Sequence, residues 1–287
     1  MQILGVGIVT LDIINLVDHY PVEDEELRAE SQVIRRGGNT ANTLTVLSQF
    51  NHSCFWAGTI AEDLSTDFIV SDLNKHKINY SLAKKITNSK QPTSYITLNK
   101  TNGSRTIVHY RDLPELDFSY FKMLDLENFN WIHFEARAID EVFGMLQLIK
   151  SNFPSIPVSV EIEKPRKHLE KIFTLADLFI YSKAYANSCG FKNPEAFLQS
   201  QKLVSPNADL VCTWGKAGAS ALLKSDQLIH SNAYLTKNTV DTIGAGDTFN
   251  AGLIHSRLTK KSWQASLEFS CRLAGKKCGQ MGFNNLA

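Results

Sequence analysis

Very little net charge is left over in this chain. Its 287 residues carry 30 basic against 29 acidic side chains, a formal balance of +1. Without a basic excess there is no electrostatic footprint for nucleic acid or an anionic membrane. Cysteine is sparse and unpatterned: Cys54, Cys189, Cys212, Cys271 and Cys278 are odd in number and show no C-x-x-C spacing. That argues against a zinc site and for reduced thiols in a cytoplasmic protein. Long apolar runs are missing too. Residues 3–11 are apolar, but no basic segment precedes them and Asp12 ends them, so a buried strand is expected rather than a signal peptide or membrane span. Two nucleotide fingerprints are also absent. After Gly5 and Gly7 the third glycine of a dinucleotide motif is replaced by Thr10, after Gly244 and Gly246 by Phe249, and no G-x-x-x-x-G-K-[ST] occurs. Both a nicotinamide dehydrogenase and a P-loop kinase are therefore disfavoured.

What is present is an alternation of strand and helix patterns. Hydrophobic content of 43% and charged content of 21% are ordinary for a globular protein. The length suits one large α/β domain or two smaller ones, and the absence of repeats, linkers or low-complexity tracts favours one domain over 1–287. Strands are expected at 3–9, 54–60, 80–83, 131–134, 158–163, 178–181, from 210 onward, and at 220–223 and 228–230. Helices are expected after Asn42, over 64–75 and 141–150, up to Phe173, and from Trp263 to about Gly279. Repeated β-α units predict a mainly parallel central sheet between two helical layers. Strands at 94–98 and 105–110, joined across Asn102-Gly103, read as a hairpin. With residues 13–36, whose acidic turn spans 23–26, they predict a small inserted β-sheet lid from about 13–36 and 92–111.

The most informative run is Asp241-Thr242-Ile243-Gly244-Ala245-Gly246-Asp247-Thr248-Phe249-Asn250-Ala251-Gly252, a glycine loop that becomes a helix. The first N–H groups of a helix lack partners and carry partial positive charge, and glycines let an anion approach them. Asp247 should repel that anion. It is either a helix-capping aspartate or a base that takes a proton from a hydroxyl attacking phosphate. Upstream, Arg36-Gly37-Gly38-Asn39-Thr40-Ala41-Asn42 puts two amides on one helix face, suited to a polyhydroxylated ligand or to capping alone. Asp12 follows the first strand, where open α/β sheets bind ligands, and reads equally well as a turn residue. Glu161 and Glu163 share a strand face; Glu163 suits either water around Mg²⁺ or an ion pair.

The twelve-residue loop and the G-G-N-x-x-N run resemble the two signatures of the pfkB (ribokinase-like) sugar kinases. Further runs resemble the ketohexokinase branch of that family: Trp131-Ile132-His133-Phe134-Glu135-Ala136-Arg137, Val158 through Arg166, and Ala274-Gly275-Lys276-Lys277-Cys278-Gly279. The resemblance covers essentially the whole chain and implies a ribokinase-like α/β/α core with a β-clasp. It implies ATP-dependent phosphorylation of D-fructose at its 1-hydroxyl, with Mg²⁺ and stimulation by K⁺; another pfkB sugar or nucleoside kinase, or a catalytically silent sugar-binding homologue, is the alternative. On the matching positions, Asp247 is the base and Gly244, Ala245 and Gly246 form the anion hole. Asp12, Gly38, Asn39 and Asn42 bind sugar, joined by Asp24 from the partner subunit of a homodimer clasped through the lids. Arg105 reaches phosphate or sugar; without the resemblance it is a surface arginine. Gly215, Lys216, Ala217, Gly218 and Cys278 flank the nucleotide. Many family members carry N-x-x-E for metal and phosphate, but this chain has Ser182-Lys183-Ala184-Tyr185 instead, so its metal ligands stay unassigned. Removing a positioned base typically costs roughly 10²–10⁴-fold in rate. Asp247→Asn is therefore expected to lose nearly all turnover while retaining sugar and ATP binding; turnover near the parent's would remove Asp247 from the chemistry.

Overall fold

The structure is a computed structural model, which describes every residue except Lys237. Its main sheet has nine strands, in the spatial order Leu228–Ser231, Ala219–Leu222, Asp209–Thr213, Leu178–Tyr181, Val158–Ile162, Trp131–Glu135, Gln2–Val6, Ser53–Ala57 and Ile78–Asn79. The seven from Asp209–Thr213 to Ile78–Asn79 run parallel, and the other two close one edge antiparallel. Strands buried on both faces need apolar residues at successive positions, and this is why Ile3 and Leu4 are both buried, on opposite sides of the sheet. One face packs Leu4, Phe121, Phe134 and Phe179 under the helix Ile139–Asn152 and its neighbours. The other packs Ile3, Leu44, Trp56 and Leu253 under the helices Asn39–Gln49 and Ala245–Leu258. This is the α/β architecture expected of the sequence.

The first strand, Gln2–Val6, is third from one edge of the sheet. From there the chain builds outward one way through Ser53–Ala57 and the other way through Trp131–Glu135. Such a switch in direction opens a crevice beyond the carboxyl ends of the central strands. Over that crevice lies a separate four-stranded sheet, ordered Ser31–Gly37, Thr10–Val17, Thr93–Asn99 and Arg105–Tyr110. Its outer face leaves Ile34, Tyr95 and Val108 exposed, while Ile107 on the other face looks into the crevice. None of the helices among the described residues is long and apolar enough to cross a membrane.

Several local expectations are corrected. Asp12 lies inside the strand Thr10–Val17 of the small sheet, because the first strand stops at Val6. The strand expected at 54–60 breaks at Gly58, where a Cβ would sit 2.3 Å from the carbonyl oxygen of Gly7, and Thr59–Ala61 joins a two-stranded ribbon with Lys84–Ile86. Residues 80–83 turn rather than extend, because Asn79 Oδ1 accepts from Ser81 N at 2.8 Å and Ala83 N donates to Tyr80 O at 3.0 Å. Before Phe173 there is a single short turn, Leu169–Lys171. The helices Lys183–Ser188 and Pro194–Lys202 were not expected, although Ser182 and Asn193 cap them with side-chain bonds to Tyr185 N and Ala196 N.

Candidate active site

Between the small sheet and the carboxyl ends of the central strands lies a cavity of about 590 Å³. The small sheet contributes Asp12, Ser94, Arg105 and His109, and the core contributes Asn39, Asn42, Glu135, Glu161, Glu163 and Asp247. Gly38 begins the helix Asn39–Gln49 at φ 106°, and a Cβ there would lie 2.1 Å from the carbonyl oxygen of Ile8. Only glycine lets the chain pass this close to the segment that links the two sheets and still deliver both asparagines to the cavity.

Asp247 lies in the first turn of the helix Ala245–Leu258, behind Gly244 at φ 80°. The first helical bond is Thr248 N to Gly244 O, 2.9 Å, so by helix geometry the amides of Gly246 and Asp247 precede any internal acceptor. Of the three loop amides expected to face an anion, that of Ala245 is drawn to Thr242 O at 3.3 Å. The Asp247 carboxylate is buried and accepts from Asn42 Nδ2 at 2.8 Å. Asn42 Oδ1 in turn accepts from Arg36 Nη1 at 3.0 Å, so Arg36 decides which end of the amide meets Asp247. Arg36 is itself held by Thr45 Oγ1 at 2.7 Å and Asp72 Oδ2 at 2.6 Å.

Burial pushes Asp247 up to about 7, and the nearby carboxylates of Glu163 and Glu135 add to this against the Asn42 bond and the Arg36 charge. Glu161 is raised well above the ordinary carboxylate range by burial and by Asp247 itself. Burial also raises Asp12 despite the bond from Thr10 Oγ1 at 2.8 Å. Asp72 goes the other way, to about 2, because His76 and Arg36 outweigh its burial. The cavity thus collects carboxyl groups, Asp12, Glu135, Glu161 and Asp247, whose pKa values burial raises.

Asp12, Gly38, Asn39, Asn42 and Asp247 all line this cavity, and Arg105 lies at its rim on the small sheet. Asn39 Nδ2 is committed to Glu163 Oε2 at 3.3 Å. Asp24 is elsewhere, exposed in a turn at φ 68°, and does not line the cavity of its own chain. A second cavity of about 360 Å³ adjoins the first and shares Thr213, Thr242 and Gly246 with it. Gly215, Lys216, Gly218, Ala245 and Cys278 line the second one; Ala217 does not. Its walls are mostly apolar, and Gly275 packs so tightly on Tyr234 that a Cβ would come within 2.1 Å of the Tyr234 carbonyl oxygen. The glycine loop is therefore the partition between a polar, acidic cavity and an apolar one.

Glu135, Arg137, His109 and Asn250 were not picked out as site residues. Arg137 Nη1 pairs with Glu135 Oε1 at 3.3 Å and Arg137 Nε with Glu115 Oε1 at 2.7 Å. Their signal was a charged pair directly after the apolar run 131–134, at a strand's carboxyl end. Two buried polar atoms there, Glu161 Oε2 and Asn250 Nδ2, meet no partner in good hydrogen-bond geometry, although the Asn250 amide lies close enough to Glu161 to oppose the rise in its pKa. Among the described residues no group of three or more His, Cys, Asp or Glu side chains is arranged to hold a metal.

A family model, the pfkB family carbohydrate kinases, matches residues 2–287. Ketohexokinase of Mus musculus is 42% identical over 293 aligned positions, covering 99% of this chain and 98% of the mouse protein. Ribokinase of Bacillus subtilis is 22% identical, covering 95% and 91%. Among solved structures, a putative ribokinase from Agrobacterium tumefaciens superposes with a TM-score of 0.85 at 17% identity, covering 98% and 92% of the two chains. Arabidopsis thaliana ribokinase complexed with ribose and ATP gives 0.82 at 17% identity, covering 98% and 93%.

The raised carboxyl of Asp247 has a measurable consequence for stability. Its folded value near 7 exceeds the usual unfolded value, so the folded state holds the proton more tightly. That contribution is complete below pH ~4 and is lost as pH rises toward 7. Asp247→Asn cannot ionise. It should melt above the parent protein at pH 8, with the difference closing toward pH 4; equal melting at both pH values would contradict the assignment.

Proposed function

This chain belongs to the pfkB family of carbohydrate kinases, and from that premise we propose that it phosphorylates D-fructose at the 1-hydroxyl, using ATP and releasing ADP. Phosphotransfer to an alcohol follows from the family and from the 42% identity to ketohexokinase. The fructose reading leans on that likeness, and the observation that assigns the two substrates to two cavities is the partition: Asp247 faces the polar cavity, and the loop Gly244–Gly246 stands between it and the apolar one. In this reading the apolar cavity takes the nucleotide and the polar one the sugar. Asp12, Asn39, Asn42 and the backbone at Gly38 hold the sugar hydroxyls, and buried polar partners reject analogues that leave them unpaired.

The 1-hydroxyl attacks the γ-phosphorus, forming one O–P bond as the bridge to the β-phosphate breaks. Asp247 takes the hydroxyl proton. A loose transition state needs little deprotonation until bond formation is advanced, so a carboxylate suffices. The Gly244–Gly246 loop offers N–H groups to charge developing on the transferring group, and Arg105 neutralises more of it. The small sheet acts as a lid that excludes water, which competes as an acceptor. Mg²⁺ arriving with ATP would supply positive charge against the phosphates. Glu161 and Glu163, both lining the polar cavity, would hold its water shell once that positive charge drew Glu161 into its ionised form. K⁺ belongs to this reading as an activator, and a cytoplasmic setting agrees with five free cysteines; recovery in a secreted or membrane-bound fraction would contradict that setting.

The test is coupled ADP release over a panel of ketoses, aldoses and nucleosides, followed by NMR of the product. Fructose 1-phosphate is expected, with a lower rate when tetramethylammonium replaces K⁺. Phosphate on O6, or a nucleoside as the preferred acceptor, would overturn the assignment within the family.

A homodimer clasped through the small sheets completes the proposal. The exposed apolar face at Ile34, Tyr95 and Val108 supports it, and so does the absence of Asp24 from the lining of its own cavity. A hydrogen bond to a charged group contributes about 1.5–3 kcal/mol. Asp24→Ala should therefore raise the KM for fructose by roughly ten-fold or more with kcat little changed, and an unchanged KM would remove Asp24 from the site.

A further inference from the structure

Among the described residues Lys277 is the only lysine that is fully buried. It lies in the last turn of the helix Trp263–Cys278, and its Nζ does not reach solvent. Instead it donates to Asp241 O at 3.0 Å, Asp241 Oδ2 at 3.0 Å and Gln280 O at 3.5 Å. Asp241 opens the glycine loop. Its Oδ1 accepts from Ile243 N at 2.9 Å, and its Oδ2 also meets Arg35 Nη1 at 3.1 Å and Gly282 N at 3.5 Å. On the far side the ring of Phe283 lies 5.6 Å from Lys277 Nζ and fills the space beside Gly244, where a Cβ would come within 2.3 Å of it. One ammonium thus ties down the backbone two residues before Ile243 and the aromatic ring that supports Gly244.

Burying an ammonium is costly unless it is paired and its donors are used, and an apolar side chain would fill the same space without that cost. Lys277 touches neither cavity: it is absent from the lining of both. We propose that Lys277 is a positioning residue for phosphoryl transfer, its fixed positive charge holding Asp241 so that the amides of Gly244–Gly246 keep their places as negative charge builds on the transferring group. The inference rests on the phosphotransfer reading of the loop. A misplacement of about 1 Å in such a site can cost about 10²-fold in rate, while ground-state contacts to sugar and nucleotide change little.

The experiment compares the full-length protein with K277M, which keeps length and bulk without charge. Expected is a fall in kcat of roughly 10–100-fold, with KM for sugar and affinity for ADP each within about threefold of the parent. The extra affinity that aluminium fluoride, a mimic of the transferring group, confers on ADP in the presence of sugar should fall with kcat. A merely structural lysine would not separate these quantities. The proposal is overturned if kcat stays near the parent's value, or if affinities for ADP and for ADP with aluminium fluoride fall together. If K277M does not fold, K277Q is read by the same criteria, and failure of both to fold makes Lys277 a folding residue and overturns the proposal. A parent protein that phosphorylates nothing overturns the phosphotransfer reading itself. An active parent with an unaffected variant overturns the role of Lys277 alone.

Discussion

The hydrogen bond from Asn42 to Asp247 joins residues 205 positions apart, and the geometry of the site depends on it. It links the first residues of the helix Asn39–Gln49 to the first turn of Ala245–Leu258, so the two helix starts face one crevice. Thr43 Oγ1 reinforces the junction by donating to Asp247 O at 3.2 Å. Arg36, buried behind Asn42, makes the junction directional: its guanidinium takes the amide oxygen and leaves the amide N–H groups for the carboxylate. The arrangement costs desolvation of both an arginine and an aspartate, and Asp72 offsets part of that by pairing with Arg36 at 2.6 Å.

From that junction the division of labour follows by position. The glycine loop before Asp247 is tethered on one side by Asp241 and opens on the other toward two cavities of different polarity. A carboxylate on the polar side of a helix start can serve a hydroxyl without opposing the anion that the helix start attracts. Its raised pKa follows from burial and from the neighbouring carboxylates of Glu163 and Glu135. Cationic groups arriving beside it would move the raised carboxyls of Asp247, Glu161 and Glu135 toward ionisation.

Much of this was legible in the chain. Glycine spacing, the asparagine pair and the loop before Asp247 are local patterns, and each has a backbone reason to be local: Gly38 and Gly244 stand at positive φ where side chains would collide. The errors were also local in origin. Residues 80–83 have strand-like composition, but the Asn79 side chain captures Ser81 N and turns the chain. Asp12 was placed after the first strand because apolar residues continue past Val6, whereas the chain crosses there from one sheet to the other.

The sequence by itself determined the fold class through its periodicity, the residues surrounding Asp247 through local turn chemistry, and the family through the resemblance of its glycine-loop and asparagine runs to known signatures. Only the tertiary structure decided what each residue faces. Asn39 is tied to Glu163 and Asn42 to Asp247, Ala245 faces the apolar cavity, and Arg36 acts on the site without lining it. Glu135 and Arg137 joined the site because neighbouring strand ends converge at the switch point, a relation that no spacing along the chain encodes. Lys277 is the plainest case. In sequence it is one basic residue in a helix's last turn, where lysines are common, and only the packing of two distant segments leaves its charge buried against Asp241.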